Sequence, residues 1–110
     1  MTYKGGCHCG KVAFEAEGTI DKIAECNCSI CSMHGYLHWF IPNDKLKLTT
    51  PKANLGTYTF KTGKYRHQFC PSCGVAPFIT SDAGTAVNVR CLEGVDPSSF
   101  KVNHFDGRSL

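Results

Sequence analysis

The residues of this sequence with the clearest chemistry are its eight cysteines, and seven of them fall into three short clusters. The clusters read C-H-C at 7–9, C-N-C-S-I-C at 26–31 and C-P-S-C at 70–73. Thiolates at such close spacing are typical ligands of Zn²⁺, and structural sites hold this ion with four ligands in a tetrahedron. The clusters therefore raise the question of which sulfurs share a metal ion, and whether one metal position is left open for a substrate.

The first and third clusters each supply two thiols, and together they predict one closed four-cysteine zinc site. The spacing C-x-x-C followed by Gly74 is that of a zinc knuckle, in which backbone N–H groups of a tight turn point at the sulfurs. The alternative is a redox pair in a thioredoxin-like unit, but that needs a helix after the motif and none is predicted here. We therefore predict a structural zinc ion on Cys7, Cys9, Cys70 and Cys73, which would close a long loop and stabilise the domain.

The middle cluster offers three thiols, those of Cys26, Cys28 and Cys31, with no obvious fourth ligand. Three protein ligands and one open position distinguish catalytic zinc sites from structural ones. The open position could take water or the thiolate of a small substrate, whose pKa the metal would lower. We therefore predict a second zinc ion here, and these three cysteines are the candidate catalytic residues.

Two alternatives stay open for the middle cluster. One of His34, His38 and Cys91 could close the site, although each is equally consistent with an ordinary exposed or core position. Alternatively, the cluster holds no metal ion, because zinc occupancy varies with pH and with purification. Only an open metal position supports catalysis, so this choice separates an enzyme from a binding module.

Short strand patterns surround these clusters, and helix patterns are scarce. Alternating or continuous apolar runs predict strands near residues 12–17, 36–41, 46–48, 57–60, 65–69, 75–80, 87–91 and 100–105. The stretch K-T-G-K, with Gly63 at the turn, predicts a hairpin, while Pro77 restricts its own strand to an edge or a bulge. The one helical segment is a turn or two around 27–33, which Asn27 could cap. The sequence thus predicts a mainly β domain of several small sheets.

The composition predicts a single domain over 1–110, because 110 residues, 42% of them hydrophobic, suffice for one modest core. There is no signal-peptide pattern and no apolar run long enough for a bilayer, so we expect a cytoplasmic protein without a membrane partner. The formal net charge of +3 falls to near zero once seven thiolates bind two Zn²⁺, so nucleic acid is not an expected partner. Basic and aromatic residues at 60–69 are explained by a hairpin with one solvated face. The sequence does not determine the oligomeric state.

Five segments of the chain resemble the glutathione-dependent formaldehyde-activating enzyme family, which is shared with centromere protein V. They are G-G-C-H-C-G, C-N-C-S-I-C, F-C-P-S-C-G, V-N-V-R-C-L-E-G-V-D and N-H-F-D-G-R. The resemblance covers nearly the whole chain. It implies a β-tent fold of several small coiled antiparallel sheets held by zinc. It also implies that the first and third clusters form the structural zinc site and that the middle cluster forms the catalytic one.

The function implied by the resemblance is condensation of formaldehyde with glutathione to S-hydroxymethylglutathione, by a carbon–sulfur lyase. Its small-molecule partner would be a thiol such as glutathione, and its cofactor two zinc ions per chain. Two other functions stay open, namely a non-catalytic zinc-stabilised binding module and a thiol-based metal or redox sensor that uses the middle cluster. No glutathione-binding residue is assigned by a motif.

Overall fold

The computed structural model describes residues 1–109, which form two β-sheets, one short α-helix and four 3₁₀ turns. The strands in chain order are β1 (Thr2–Gly6), β2 (Ala13–Glu17), β3 (Ile23–Cys26), β4 (His38–Ile41), β5 (Leu46–Leu48), β6 (Gly56–Tyr58), β7 (Arg66–Phe69), β8 (Phe78–Ser81), β9 (Gly84–Asn88) and β10 (Val102–Phe105). Helix α1 is Ser29–His34, and the 3₁₀ turns are Asn43–Lys45, Lys52–Asn54, Val89–Cys91 and Pro97–Ser99. The prediction of a mainly β fold is confirmed. Within the described residues, no helix is long and apolar enough to cross a membrane.

The smaller sheet is antiparallel, with strand order β1-β2-β5, and it carries the first cysteine cluster in the turn between β1 and β2. Gly5 on β1 packs closely against two other parts of the molecule. A Cβ atom at this position would lie 2.6 Å from the ring of Phe14 and 2.8 Å from the carbonyl oxygen of Cys91. Glycine is therefore required here, and the close contact fixes the C-x-C turn against the rest of the fold.

The larger sheet has the strand order β10-β3-β4-β9-β8-β7-β6 and is antiparallel except for one pair. Strand β10 runs parallel to β3, which places Phe105 beside Cys26. The sheets are antiparallel as expected except at this pair, where most of the chain connects the two strands and no tight turn constrains their direction. Near the other end of the sheet, β7 and β8 are antiparallel and the C-P-S-C cluster lies in the turn between them.

The main core contains side chains from both sheets. Phe14 of the smaller sheet and Trp39, Phe78 and Val87 of the larger one are all buried in it. The rings of Phe14 and Phe78 pack edge to face with centroids 5.3 Å apart, and Tyr3 packs on Trp39 at 5.5 Å. Burial of a large apolar side chain stabilises a fold by about 1.5–3 kcal/mol. Apolar packing therefore contributes to holding the two sheets, and with them the cysteine turns, together.

A second, smaller apolar cluster lies on the opposite face of the larger sheet. Along β8 and β9, Ile79 and Ala86 alternate with the core residues and so point to this other face. They pack with Tyr36 and with Cys31 of the short helix. The middle cysteine cluster is thus anchored to the sheet through the buried side chain of Cys31.

Several local predictions are confirmed and two strand predictions are wrong. The hairpin around K-T-G-K is present as the antiparallel pair β6 and β7, with Gly63 at φ 71° in its turn. The strand predicted over 87–91 ends at Asn88, because its side-chain oxygen accepts a hydrogen bond from the N–H of Arg90 (3.2 Å) and begins a 3₁₀ turn. Strand β8 begins directly after Pro77 and pairs on both sides, so the proline neither places it at an edge nor inserts a bulge.

The predicted helix is present, but its capping residue differs from the expectation. Cys28 occupies the N-cap position with extended backbone angles, and its sulfur accepts a hydrogen bond from the N–H of Cys31. The side chain of Asn27 instead makes hydrogen bonds to residues near the C-terminus. A sulfur accepts here because the loop must bring the thiol of Cys28 next to that of Cys31.

Candidate metal centres

The first and third cysteine clusters meet in space. The sulfurs of Cys7, Cys9, Cys70 and Cys73 all lie within 4.8 Å of one another. The sulfur of Cys9 lies 3.7 Å from that of Cys7 and 3.5 Å from that of Cys70. Zinc–sulfur bonds of about 2.3 Å in a tetrahedron imply sulfurs about 3.8 Å apart. The donor set therefore fits one metal ion with four thiolate ligands.

Local turns place these sulfurs. In the C-P-S-C turn, the N–H of Gly74 donates to the carbonyl oxygen of Cys70 (2.7 Å), and the N–H of Cys70 donates to the carbonyl oxygen of Val75 (3.0 Å). Gly74 has φ 80°, a left-handed conformation that side chains with a Cβ rarely adopt. In the other turn, the N–H of Val12 donates to the sulfur of Cys7 (3.3 Å). These turns correspond to the zinc-knuckle geometry that the spacing predicts.

The electrostatics of the four thiols are those of a set that could hold a cation. The backbone N–H groups of Val75 and Cys9 lower the pKa of Cys73 to about 6. At Cys9 the backbone of Lys11 lowers the pKa, but burial and the sulfur of Cys70 outweigh it and raise the pKa to about 11. Neighbouring thiols diverge in this way because thiolates in contact repel one another unless a positive charge lies between them. A bound metal ion would remove that repulsion.

The middle cluster is also assembled, with the sulfurs of Cys26, Cys28 and Cys31 within 4.8 Å of one another. Cys26 ends β3, Cys28 caps helix α1 and Cys31 lies within it. The N–H of Cys28 donates to the sulfur of Cys26 (3.4 Å), and the N–H of Cys31 donates to that of Cys28 (3.5 Å). The change from strand to helix thus turns all three sulfurs toward one point, as a metal site requires.

One side of the middle cluster opens into a cleft of about 420 Å³. Among residues 1–109, no other histidine, cysteine or carboxylate brings a ligand atom within 4.8 Å of all three sulfurs. The cleft is lined by the two cluster residues Cys26 and Cys31 together with Glu25, Asn27, Ser32, Gly35, His104, Phe105 and Asp106. The arrangement is therefore three thiols beside a space that a small molecule can enter.

His38 contacts the middle cluster without joining it. Its Nε2 lies 3.4 Å from the sulfur of Cys31, and its side chain is buried. Burial and the nearby His67 lower the pKa of His38 to about 4, so the ring is neutral near pH 7. Its Nδ1 has no hydrogen-bond partner within the described part of the chain. The contact suits a tautomer in which Nε2–H donates a hydrogen bond to the sulfur of Cys31 and so fixes the orientation of that side chain.

The other two candidate fourth ligands lie elsewhere. The ring of His34 stacks on Tyr36 with centroids 4.9 Å apart. Cys91 is half-buried, and this burial together with the charges of Cys7 and Cys73 raises its pKa to about 11. Neither residue belongs to the three-thiol set. The alternative in which one of the three candidates closes the middle site is therefore not supported by the geometry.

Sequence reasoning from the residues missed the wall of the cleft that β10 and the following residues contribute. His104, Phe105 and Asp106 line the cleft because β10 pairs with β3, far away in the sequence. The only signal for them was the stretch N-H-F-D-G-R, which we noted as part of the resemblance without assigning it a role.

Comparison with known proteins agrees with this geometry. Residues 2–101 match the model of the family described as glutathione-dependent formaldehyde-activating enzyme. The chain belongs to this family. A solved structure of a Rhodobacter sphaeroides protein, a structural genomics target, is similar with a TM-score of 0.85 and 31% sequence identity. That similarity covers 93% of this chain and 99% of the other, so the two proteins share one fold over almost the whole length of each.

Proposed function

We propose that this chain is a zinc enzyme that acts on a small thiol or its adduct, with Cys26, Cys28 and Cys31 as ligands of the working metal ion. The observation that carries the proposal is that three thiols converge beside an open cleft while no fourth ligand from the described residues joins them. The family description suggests glutathione and formaldehyde as the substrates, and hence a carbon–sulfur lyase. A second zinc ion on the four-cysteine set would have a structural role.

The proposed reaction is the condensation of a thiol with formaldehyde. The thiol gives up its proton, and the thiolate sulfur forms a bond to the carbonyl carbon. The π bond of the carbonyl breaks, its electron pair moves to the oxygen, and the oxygen takes up one proton, so the product is an S-hydroxymethyl thioether. A free thiol has a pKa of about 8.5 and is mostly protonated at neutral pH. Zinc held by the three cysteines would supply the positive charge that favours the thiolate form of a thiol in the cleft.

The chain itself would bind and orient the substrate. The cleft lies within the size range of small-molecule sites, and polar side chains from β3, β10 and the residues that follow these strands line it. His104 Nδ1 lies 3.1 Å from Glu25 Oε1, and Asn27 Nδ2 donates to Asp106 Oδ1 at 3.0 Å. Contacts between the thiol and these side chains would fix the direction of its sulfur, and such orientation lowers the entropic cost of reaction.

The setting proposed for this activity is a single domain over 1–110 in the cytoplasm. All eight cysteines are free thiols, and two of the three clusters are brought together as one donor set rather than joined as disulfides. Clustered thiols that have to bind metal ions remain available in a reducing compartment. The cytoplasm also suits a reaction that consumes a free thiol.

Native mass spectrometry of the purified protein, with and without glutathione, tests the proposal. We expect two zinc ions per chain and one glutathione adduct. Cys28→Ser should lose one zinc ion and the adduct, whereas the control Cys91→Ser, which changes a cysteine outside both donor sets, should keep both. One zinc ion in the wild type, or two with no adduct at any glutathione concentration used, contradicts the proposal. That result would favour the alternative of a non-catalytic zinc-stabilised binding module.

A further inference from the structure

The cleft beside the middle cluster is completed by the last residue of β10 and the residues that follow it. We call residues 105–109 the C-terminal strap. The pairing of β10 with β3 brings Phe105 beside Cys26, and the backbone N–H of Asn27 donates to the carbonyl oxygen of Phe105 (3.2 Å). The strap therefore begins at the first cysteine of the cluster and continues along the edge of the cleft.

Asn27, which lies between the first two cysteines of the cluster, holds the strap with both ends of its side-chain amide. Its Nδ2 donates to Asp106 Oδ1 at 3.0 Å, and its Oδ1 accepts from the backbone N–H of Arg108 at 2.9 Å. In addition, Arg108 Nε donates to the backbone carbonyl oxygen of Asn27 at 3.1 Å. A donor and an acceptor used in this way fix both the position and the direction of the strap.

The strap is in contact with the sulfur cluster itself. A Cβ atom at Gly107 would lie 2.5 Å from the sulfur of Cys26 and 3.3 Å from Cβ of Cys28. Only glycine lets the backbone approach a sulfur so closely without displacement of one of them. The strap therefore forms a wall that directly borders the place where a thiol would reach the cluster.

We propose that the C-terminal strap determines which thiols the Cys26, Cys28 and Cys31 site accepts, and that Asn27 is the positioning residue that holds the strap in place. The inference rests on the proposed function, since it concerns the substrate of the same site. The strap lies beyond residues 2–101, the part of the chain that matches the family model. The wall that would contact the body of the substrate thus lies outside the part that the family model matches, although the stretch N-H-F-D-G-R is one of the segments that resemble the family.

If the strap has this role, the site should distinguish long thiols from short ones. A thiol with a long polar body, such as glutathione, would extend from the cluster along the strap and contact Asp106 and His104, which line the cleft. A small thiol such as 2-mercaptoethanol would fill the position next to the sulfurs and would not extend as far as Asp106 and His104. Displacement of the strap should therefore weaken binding of the first and leave binding of the second unchanged.

The test uses the zinc-loaded protein and calorimetric titration with glutathione and with 2-mercaptoethanol. We expect Asn27→Ala to weaken glutathione binding about tenfold, a loss typical of removing one or two polar contacts. Binding of 2-mercaptoethanol and the zinc content should be unchanged. Arg108→Ala should act in the same direction, and the double variant should be no worse than Asn27→Ala, because both changes release one strap. Asn103→Ala, an exposed residue of β10 outside the strap and the cleft lining, is the matched control.

Each outcome of this titration tests either the proposed function or the strap inference. If the wild-type protein binds neither thiol, the proposed function is wrong and the strap inference is lost with it. If the wild type binds both thiols and Asn27→Ala binds both equally well, the proposed function stands and the strap inference is wrong. If Asn27→Ala loses zinc, or binds both thiols more weakly by the same factor, Asn27 supports the metal cluster rather than the choice of thiol. That result would also overturn the inference.

Discussion

Replacement of one cysteine in each cluster should separate a structural from a working metal ion. Cys73→Ser and Cys28→Ser are a matched pair, because both residues are half-buried and both substitutions replace one thiol with a hydroxyl. Serine is also a favourable N-cap residue, so helix α1 should keep its cap in Cys28→Ser. Each variant should lose one zinc ion, but we expect only Cys73→Ser to be strongly destabilised.

The expected difference follows from the lengths of the loops that the two metal ions would close. Cys9 and Cys70 are 61 residues apart in the sequence, whereas Cys26 and Cys31 are five apart. The entropic cost of loop closure grows as (3/2)RT times the logarithm of loop length. Loss of the metal ion that closes the longer loop should therefore destabilise the fold by about 2 kcal/mol more than loss of the ion that closes the shorter one. For a domain of this size, a difference of about 2 kcal/mol lowers the melting temperature by about 10 °C.

The assay is thermal unfolding followed by circular dichroism, with the zinc content of each sample measured by elemental analysis. Cys91→Ser is the control, because it removes a half-buried thiol that belongs to neither set. We expect the melting temperature of Cys73→Ser to lie about 10 °C below that of Cys28→Ser. Equal melting temperatures in two variants that have each lost one zinc ion would refute the division of roles between the clusters.

Three further predictions concern the middle cluster and its surroundings. His38→Phe should weaken metal binding at this cluster about tenfold in a competition titration with a chromogenic chelator, because Cys31 loses its contact with Nε2, while the four-cysteine site is unchanged. Unfolding free energy measured with urea should decrease as the pH falls from 6.5 toward 4. In the folded protein His38 stays neutral, with a pKa of about 4, whereas in the unfolded chain it takes up a proton. His38 therefore accounts for at most about 3 kcal/mol of this loss of unfolding free energy. The unfolding free energy of His38→Phe should depend less on pH. Mild chelation should remove the zinc of the three-thiol cluster first, which mass spectrometry would follow, and simultaneous loss of both ions would count against an open position.

The sequence alone determined the donor sets and the class of fold. Cysteine spacing singled out all seven sulfurs that the structure gathers into two groups, because C-x-C and C-x-x-C turns are local and need few residues to form. Alternating apolar residues predicted most strands for the same reason, since each alternation is decided within a few residues. The hairpin at Gly63 followed from its turn residues alone.

Only the tertiary structure decided what surrounds the middle sulfurs. The parallel pairing of β10 with β3, the strap on Asn27 and the contact between His38 and Cys31 all join segments whose meeting no local pattern specifies. The same holds for the N-cap of helix α1. Asparagine is a generally preferred N-cap residue, but Cys28 occupies this position because its sulfur must lie next to those of the other two cysteines. The choice of candidate ligand residues is thus a property of short sequence turns. Access to these residues depends instead on long-range pairing, which is determined by the packing of the whole chain.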